Sequence, residues 1–503
     1  MTQHDGCCNT TFGRRDFLKS VTLSAGALAM GSVLPLSATP SPRRPNVVFV
    51  FADEWRAHDL GYAGNSDVPT PQFDAMARDS INCASMISGC PVCTPYRASL
   101  LTGQYWLTHG LFYNDKPLGT PAVSIAQAFK QAGYDTAYVG KWHVDGHGRS
   151  AFIPRERRQG FDYWKARECT HDYNNSMYYG DTPEPLIWDG YDAIAQTRDA
   201  IRYIREHDRS KPFLFVLSWG PPHTPHHTAP EAYKQRIAPA ETLKVRPNVP
   251  EVLRDKARAA LAGYYAHIAA LDDCIGDLRR TLKETGLEEN TILVFTTDHG
   301  YMIHSQGEFH KQMPWEESIR VPFLLQWPAL HGGAGRTIRM PINTPDLMPT
   351  LLGLAGVPIP ETVEGRDLSA VFRGEREESD EAALIMCPVP FHQWNFARGG
   401  REYRGVRTQR YTYVRDLKGP WLLYDNEADP YQMDNLVNRP ESAELQARLE
   451  MVLTHRLRET GDEFRPAQHY MDQWNYTWDR GDAPSSRREG TLQSRADLST
   501  VPT

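Results

Sequence analysis

Three stretches of this chain are apolar almost without interruption, and each stops at a polar or charged tip. Val47-Val48-Phe49-Val50-Phe51 runs into Asp53-Glu54. Phe213-Leu214-Phe215-Val216-Leu217 runs through Ser218 and Trp219-Gly220-Pro221-Pro222 to His223. Ile292-Leu293-Val294-Phe295 runs into Thr297-Asp298-His299-Gly300. A strand with one wet face alternates apolar and polar residues, whereas a strand covered on both faces does not. These runs therefore predict central strands of an open α/β sheet, the class that gathers ligands at the carboxyl ends of its strands. A further strand over residues 136–139 delivers Gly140-Lys141-Trp142-His143, and extended alternation would put Lys141 and His143 on one face. Residues 321–327 read as one more strand.

Helical patterns fall between the strands. Residues 124–132 form an amphipathic stretch with Ser124 as its cap and Gly133 as its stop. Residues 191–206 form another. Residues 252–282 carry Leu261, Tyr265, Ile268, Leu271, Ile275, Leu278 and Leu282 at three- and four-residue steps, which reads as core packing with no catalytic content. At 503 residues the chain is too long for one ordinary core, so two domains are expected. The texture changes near residues 374–381, a highly charged linker pattern. Shorter strand patterns follow at 382–386, 403–408, 410–414 and 421–425, then a helix near 441–456. After residue 479 the chain is polar and reads as a disordered tail. The expected division is a leader over 1–40, a catalytic domain over 45–375, a smaller domain over 376–480 and a tail over 481–503.

A net charge of −7 excludes the basic excess of a nucleic-acid binder. Of eight cysteines, Cys7 and Cys8 lie in the leader, and the others show no regular spacing, so no disulfide framework is expected. The leader contains Gly13-Arg14-Arg15-Asp16-Phe17-Leu18-Lys19, which resembles a twin-arginine export signal. The apolar run at 21–36 is too short for a membrane span, and Leu36-Ser37-Ala38 suits cleavage. This implies a periplasmic or secreted protein that uses the twin-arginine machinery and has no stable membrane anchor.

Between the first strand and the first helix lies Cys93-Thr94-Pro95-Tyr96-Arg97-Ala98-Ser99-Leu100-Leu101-Thr102-Gly103. Pro95 suits the first turn of a helix, whose N-terminus favours anions, and Arg97 adds a permanent planar cation. The stretch resembles the signature of the type I sulfatases, in which the Cys of Cys-x-Pro-x-Arg becomes formylglycine; Tyr96 stands where most relatives have Ser. Gly140-Lys141-Trp142-His143 resembles a second motif of that family. His223 matches its His-x-Pro, and Asp298-His299 matches one half of its metal site. Lys311 followed by Glu316-Glu317-Ser318-Ile319-Arg320-Val321-Pro322 resembles its substrate lysine segment.

The resemblance implies an alkaline-phosphatase-like fold: a large mixed, mostly parallel sheet sandwiched by helices, and a smaller C-terminal α+β domain with an antiparallel sheet. It implies one Ca²⁺, or another divalent ion, held by Asp53, Glu54, Cys93 as formylglycine, Asp298 and His299. Arg97, Lys141 and Lys311 would neutralise sulfate. His223 would protonate the leaving alcohol, and His143 would take a proton from the second hydroxyl of the hydrated aldehyde, so that sulfate is expelled by elimination. A formylglycine-generating or anaerobic sulfatase-maturing enzyme becomes an implied partner. The expected activity is hydrolysis of a sulfated organic substrate, foremost a sulfated carbohydrate. A phosphonate or phosphate-ester hydrolase of the same superfamily and a catalytically inactive sulfated-glycan-binding protein are the alternatives. His226 and His227 match no family position and read as rim residues.

Overall fold

The computed structural model describes residues 44–379, 381–479 and 481–484. The expected leader, with its arginine pair, and most of the expected tail lie outside the described residues. Among the described residues, the largest sheet has eight strands. In chain order they are β1 (Asn46–Asp53), β2 (Ile81–Cys83), β3 (Asp135–Lys141), β4 (Tyr163–Arg167), β5 (Phe213–Pro222), β6 (Thr291–Thr297), β7 (Leu324–Gln326) and β8 (Arg336–Ile338). Their spatial order is β8-β2-β7-β6-β1-β5-β3-β4. β1 pairs in parallel with β5 and β6, and β3 in parallel with β4 and β5. β7 alone runs antiparallel to its neighbours.

The uninterrupted apolar runs are explained by what covers them. Val47, Phe49 and Phe51 join a core with residues of α1 (Cys93–Thr102) and α2 (Ile125–Gln131). Val48, Val50 and Ala52 face the other way, into a core with α3 (Asp192–Glu206) and α4 (Arg254–Glu284). Both faces of β1 are dry, so both parities must be apolar. Each fully buried Val or Phe adds about 1.5–3 kcal/mol of burial free energy. Ser124 caps α2 through a capping box with Gln127, and Gly133 beyond its end sits at φ 89°.

The strand expected over 321–327 is divided. Arg320–Val321 pairs with Met86–Ile87 in a separate three-stranded sheet, whereas β7 joins the main one. Pro322, which has no N–H to donate, lies at the break.

After α5 (Glu316–Ile319), α6 (Leu347–Ala355) completes the first core. The C-terminal region then forms an antiparallel four-stranded sheet in sequential order: β9 (Ala383–Cys387), β10 (Tyr403–Arg407), β11 (Tyr411–Asp416) and β12 (Gly419–Asp425). One face packs under α7 (Ala443–Glu459) together with Tyr105, Trp106 and Phe112. Ile385, Tyr403, Val414 and Leu422 of the other face pack on Met302, Met313 and Ile319. The small sheet thus backs the segment that carries Lys311. The order also extends past residue 480: Asp482 is buried, accepting from the Tyr113 hydroxyl at 2.8 Å and the His392 amide at 2.9 Å. This carboxylate ties the chain back at the first residues of the expected tail. The six described cysteines are free thiols, and no described helix is long and apolar enough to cross a membrane.

Candidate active site

Adjacent parallel strands bring the two acidic tips together. Asp53 ends β1, Asp298 follows β6, and the Asp298 amide donates to Ala52 O at 3.2 Å. Glu54 turns the chain at φ 67°, and its amide donates to Asp298 Oδ1 at 3.2 Å. α1 points its N-terminal residue, Cys93, at this pair. Cys93 Sγ lies 3.6 Å from Asp53 Oδ1, 3.3 Å from His299 Nε2, 3.6 Å from Lys141 Nζ and 3.3 Å from Lys311 Nζ.

Arg97, one turn along α1, sorts the carboxylate oxygens. Its Nη2 donates to Asp53 Oδ2 at 3.1 Å and to Asp298 Oδ2 at 3.2 Å. Its Nη1 donates to Lys141 O at 2.7 Å and to Ser218 Oγ at 2.8 Å. These four contacts all lie inside the protein, and two of them are to carboxylates. The Oδ1 atoms of Asp53 and Asp298 are left facing Cys93 and His299. His299 Nδ1 donates to Gly300 O at 2.9 Å, so its Nε2 carries the lone pair. Ligand atoms of Asp53, Cys93, Asp298 and His299 lie within 4.8 Å of one another. Two buried carboxylates, a thiol and an unprotonated imidazole converge here, an arrangement that a divalent cation fits.

The electrostatics are uneven. Burial would raise the Asp53 carboxyl, but Lys141, His223, Lys311 and Arg97 hold it well below the usual range. Burial and the charge of Asp53 push Asp298 upward. Lys141 Nζ also bonds Asp53 Oδ2, which accounts for part of the difference. Burial, and then Asp53, push the Cys93 thiol up to about 12, so it is no thiolate at neutral pH.

Glu54 stands apart from the four-residue cluster. Its Oε1 accepts from Lys311 Nζ at 2.7 Å and lies 3.2 Å from His223 Nε2. It groups instead with Asp53 and His223. His223 Nδ1 donates to Thr224 O at 2.8 Å, so both ring nitrogens face acceptors. His143 does not continue the extended alternation from Lys141, because its φ is 59°. Its ring nitrogen Nε2 meets Asp115 Oδ1 at 2.9 Å, its carbonyl accepts from Thr94 Oγ1 at 2.8 Å, and burial and then Lys141 push its pKa down to about 3. His226 is not a rim residue. It is buried edge-on against Tyr264 and Tyr301, under a helix surface opened by Gly263, where a Cβ would lie 2.5 Å from His226 O.

Several supporting residues carry no sequence signal. Asp115 is engaged by His143 and by Arg149, whose Nη2 is 2.8 Å away. His171 stacks on His223 with ring centroids 4.7 Å apart. Tyr264 lies on α4, the helix read as core only, yet its hydroxyl donates to Glu54 O at 2.7 Å and accepts from the Arg56 amide. A Tyr at helical spacing looks the same in sequence whether its hydroxyl is idle or engaged.

The family model for sulfatases matches residues 45–357, and that for the C-terminal part of N-sulphoglucosamine sulphohydrolase matches residues 304–459. An ulvan-active sulfatase of Formosa agariphila is 46% identical over 444 residues, covering 87% of this chain and 86% of its own. An endo-4-O-sulfatase of Bacteroides thetaiotaomicron is 29% identical, covering 81% and 91%. A solved structure concerned with the metabolism of multiple glycosaminoglycans by Bacteroides thetaiotaomicron superimposes with a TM-score of 0.76 at 28% identity, over 86% of this chain and 98% of its own. With the acidic strand tips, the Cys93 helix and the two lysines already assembled, the chain belongs to the sulfatase family and is a sulfuric ester hydrolase.

Proposed function

We propose that this enzyme releases inorganic sulfate from a sulfated carbohydrate after export by the twin-arginine route, with residue 93 converted to formylglycine by a maturing enzyme. The observation that carries the reading is the position of Cys93 Sγ, which touches Asp53, His299, Lys141 and Lys311 at once. A thiol held up to about 12 is a poor nucleophile there, which favours a changed side chain; Sγ stands in for the oxygens that side chain would bear. Asp53, Asp298, His299 and residue 93 would hold a divalent cation, and the carboxylates favour Ca²⁺. Such a cation supplies Lewis acidity toward oxygen.

The chain's own residues account for the rest. Lys141 and Lys311, both buried, neutralise the sulfate oxygens and the charge that grows in the transition state. Arg97 fixes the two carboxylates by their outer oxygens and so acts on sulfate only through them. His223 donates a proton to the leaving oxygen from Nε2, with Nδ1–H anchored on Thr224 O. His143, held by Asp115, takes the proton whose removal expels sulfate. The names of two similar proteins, one an ulvan-active sulfatase and one concerned with the metabolism of multiple glycosaminoglycans, support a carbohydrate rather than a small aryl ester.

The test has two parts. Peptide mass spectrometry of active enzyme should find formylglycine at position 93, and a panel of sulfated mono- and oligosaccharides should include a substrate that is desulfated. Full turnover by a preparation carrying only unmodified Cys93 refutes the mechanism.

A further inference from the structure

His171 belongs to no motif, yet its ring lies parallel to that of His223, at 8° and 4.7 Å between centroids. It sits four residues beyond β4, in a loop tied down at both ends. Before it, Glu168 Oε1 accepts from the amides of Asp145 and Gly146, both at 2.7 Å. After it, the Tyr173 hydroxyl donates to Thr224 O at 3.2 Å, the same carbonyl that anchors His223 Nδ1. The Tyr173 ring also packs on Gly220, where a Cβ would come within 2.8 Å of it. The loop therefore docks twice on the segment that ends in His223, once through Tyr173 and once through His171.

Among the described residues, the polar contacts of His223 lie at its edge, through Nδ1 and Nε2. Rotation about its ring axis is limited by the partner on its face. Resting on the general-acid reading of His223, we infer that His171 is a positioning residue that fixes the plane of His223 so that Nε2 meets the leaving oxygen. The groups around this pair are Lys141, Lys311, Arg149, Asp53, Glu54 and the Cys169 thiol, 3.8 Å from His171 Nε2. Burial, then Lys141 and Lys311, push the His171 pKa down to about 4. Burial and Lys311 lower the His223 pKa too, so neither ring repels the other by charge in the resting site.

Steady-state kinetics of the full-length matured enzyme test this with a sulfated sugar substrate and nitrophenyl sulfate side by side. His171→Ala should lower kcat on the sulfated sugar by on the order of 10-fold or more, the scale of a misplaced catalytic group, with a several-fold smaller loss on the aryl ester and little change in KM. His171→Phe keeps a flat ring on His223 without a titrating group and should recover most of the loss. Equal losses on both substrates, or no recovery in the Phe variant while thermal unfolding and metal content match wild type, overturn the inference. His223→Ala run in parallel separates the two claims. If that variant shows no dependence on the leaving group, the acid assignment has failed; if it does and His171→Ala behaves as wild type, only the positioning role has failed.

Discussion

Glu316→Gln probes the joint between the catalytic segment and the small sheet. Glu316 opens α5, five residues after Lys311, and is buried. Its carboxylate receives Arg320 Nε at 2.6 Å and, from β10, Arg407 Nε at 2.8 Å. Burial alone would raise this carboxyl, but Arg407 and Arg320 bring it down from its ordinary 4.5 to about 2. Burial moves Arg320 downward as well, yet a guanidinium stays charged across the working range, so the carboxylate carries the pH dependence. A fall from 4.5 to about 2 corresponds to about 3 kcal/mol at ~1.36 kcal/mol per pH unit. The folded value lies below the unfolded one, so this stability is fully present above about pH 4.5 and is lost as pH falls toward 2. The variant also leaves two guanidinia facing a neutral amide, and breaking a buried pair from one side costs about 3–5 kcal/mol. Urea unfolding followed by tryptophan fluorescence should therefore show a loss of about 3–5 kcal/mol at pH 7. The gap to wild type should narrow by about 1 kcal/mol at pH 4, as Glu316 of the unfolded chain gains its proton while the folded one does not. A loss under about 1 kcal/mol at pH 7, or a gap that does not narrow on acidification, refutes the reasoning.

Asp298→Ala removes one carboxylate of the four-residue cluster, and elemental analysis of the purified variant should find bound divalent metal reduced to background with turnover nearly abolished; retained metal would reject the ligand set. His223→Ala should lose about 10²–10⁴-fold on a sulfated sugar and much less on nitrophenyl sulfate, whose leaving group needs little protonation. His143→Ala should show no such dependence once its step limits, and equal modest losses for His223→Ala on both substrates would remove His223 from the mechanism. Gly140→Ala would set a Cβ 2.0 Å from Ser218 O at a residue with φ 108°; it should lower the unfolding midpoint by the equivalent of at least about 1–3 kcal/mol and displace Lys141, and an unchanged midpoint with full activity would contradict the close packing of β3 on β5.

The parts of the fold that were legible in the sequence are those where one physical rule dominates. Both-sided burial made β1, β5 and β6 readable as strands, and their polar tips marked where the chain would present Asp53, His223 and Asp298. The split of the 321–327 run was less visible, because Pro322 forbids a donor but does not say which sheet each fragment will join. At the site, Cys93, Lys141, Lys311, Asp53, Asp298 and His299 converge from motifs that were each visible in the sequence. Individual orientations did not follow from spacing. The positive φ of His143 turned its ring toward Asp115, and Arg97 became the clamp on two carboxylates because partners from β1, β3, β5 and the residue after β6 surround it. Asp115, His171 and Tyr264 escaped notice because their roles depend on neighbours between 28 and 210 residues away.

Every residue of α1, from Cys93 to Thr102, is buried. The helix has no outward side by which a second protein could grip it, and Cys93 itself is only 1% exposed. Around it close β1, β5 and the residue after β6, drawn from positions up to 206 residues downstream. A maturing enzyme of the kind proposed above would find none of these side chains on the surface of the native fold. On that proposal the chemistry at position 93 would precede the closing of the sheet, and a chain that folded first would keep an unmodified thiol.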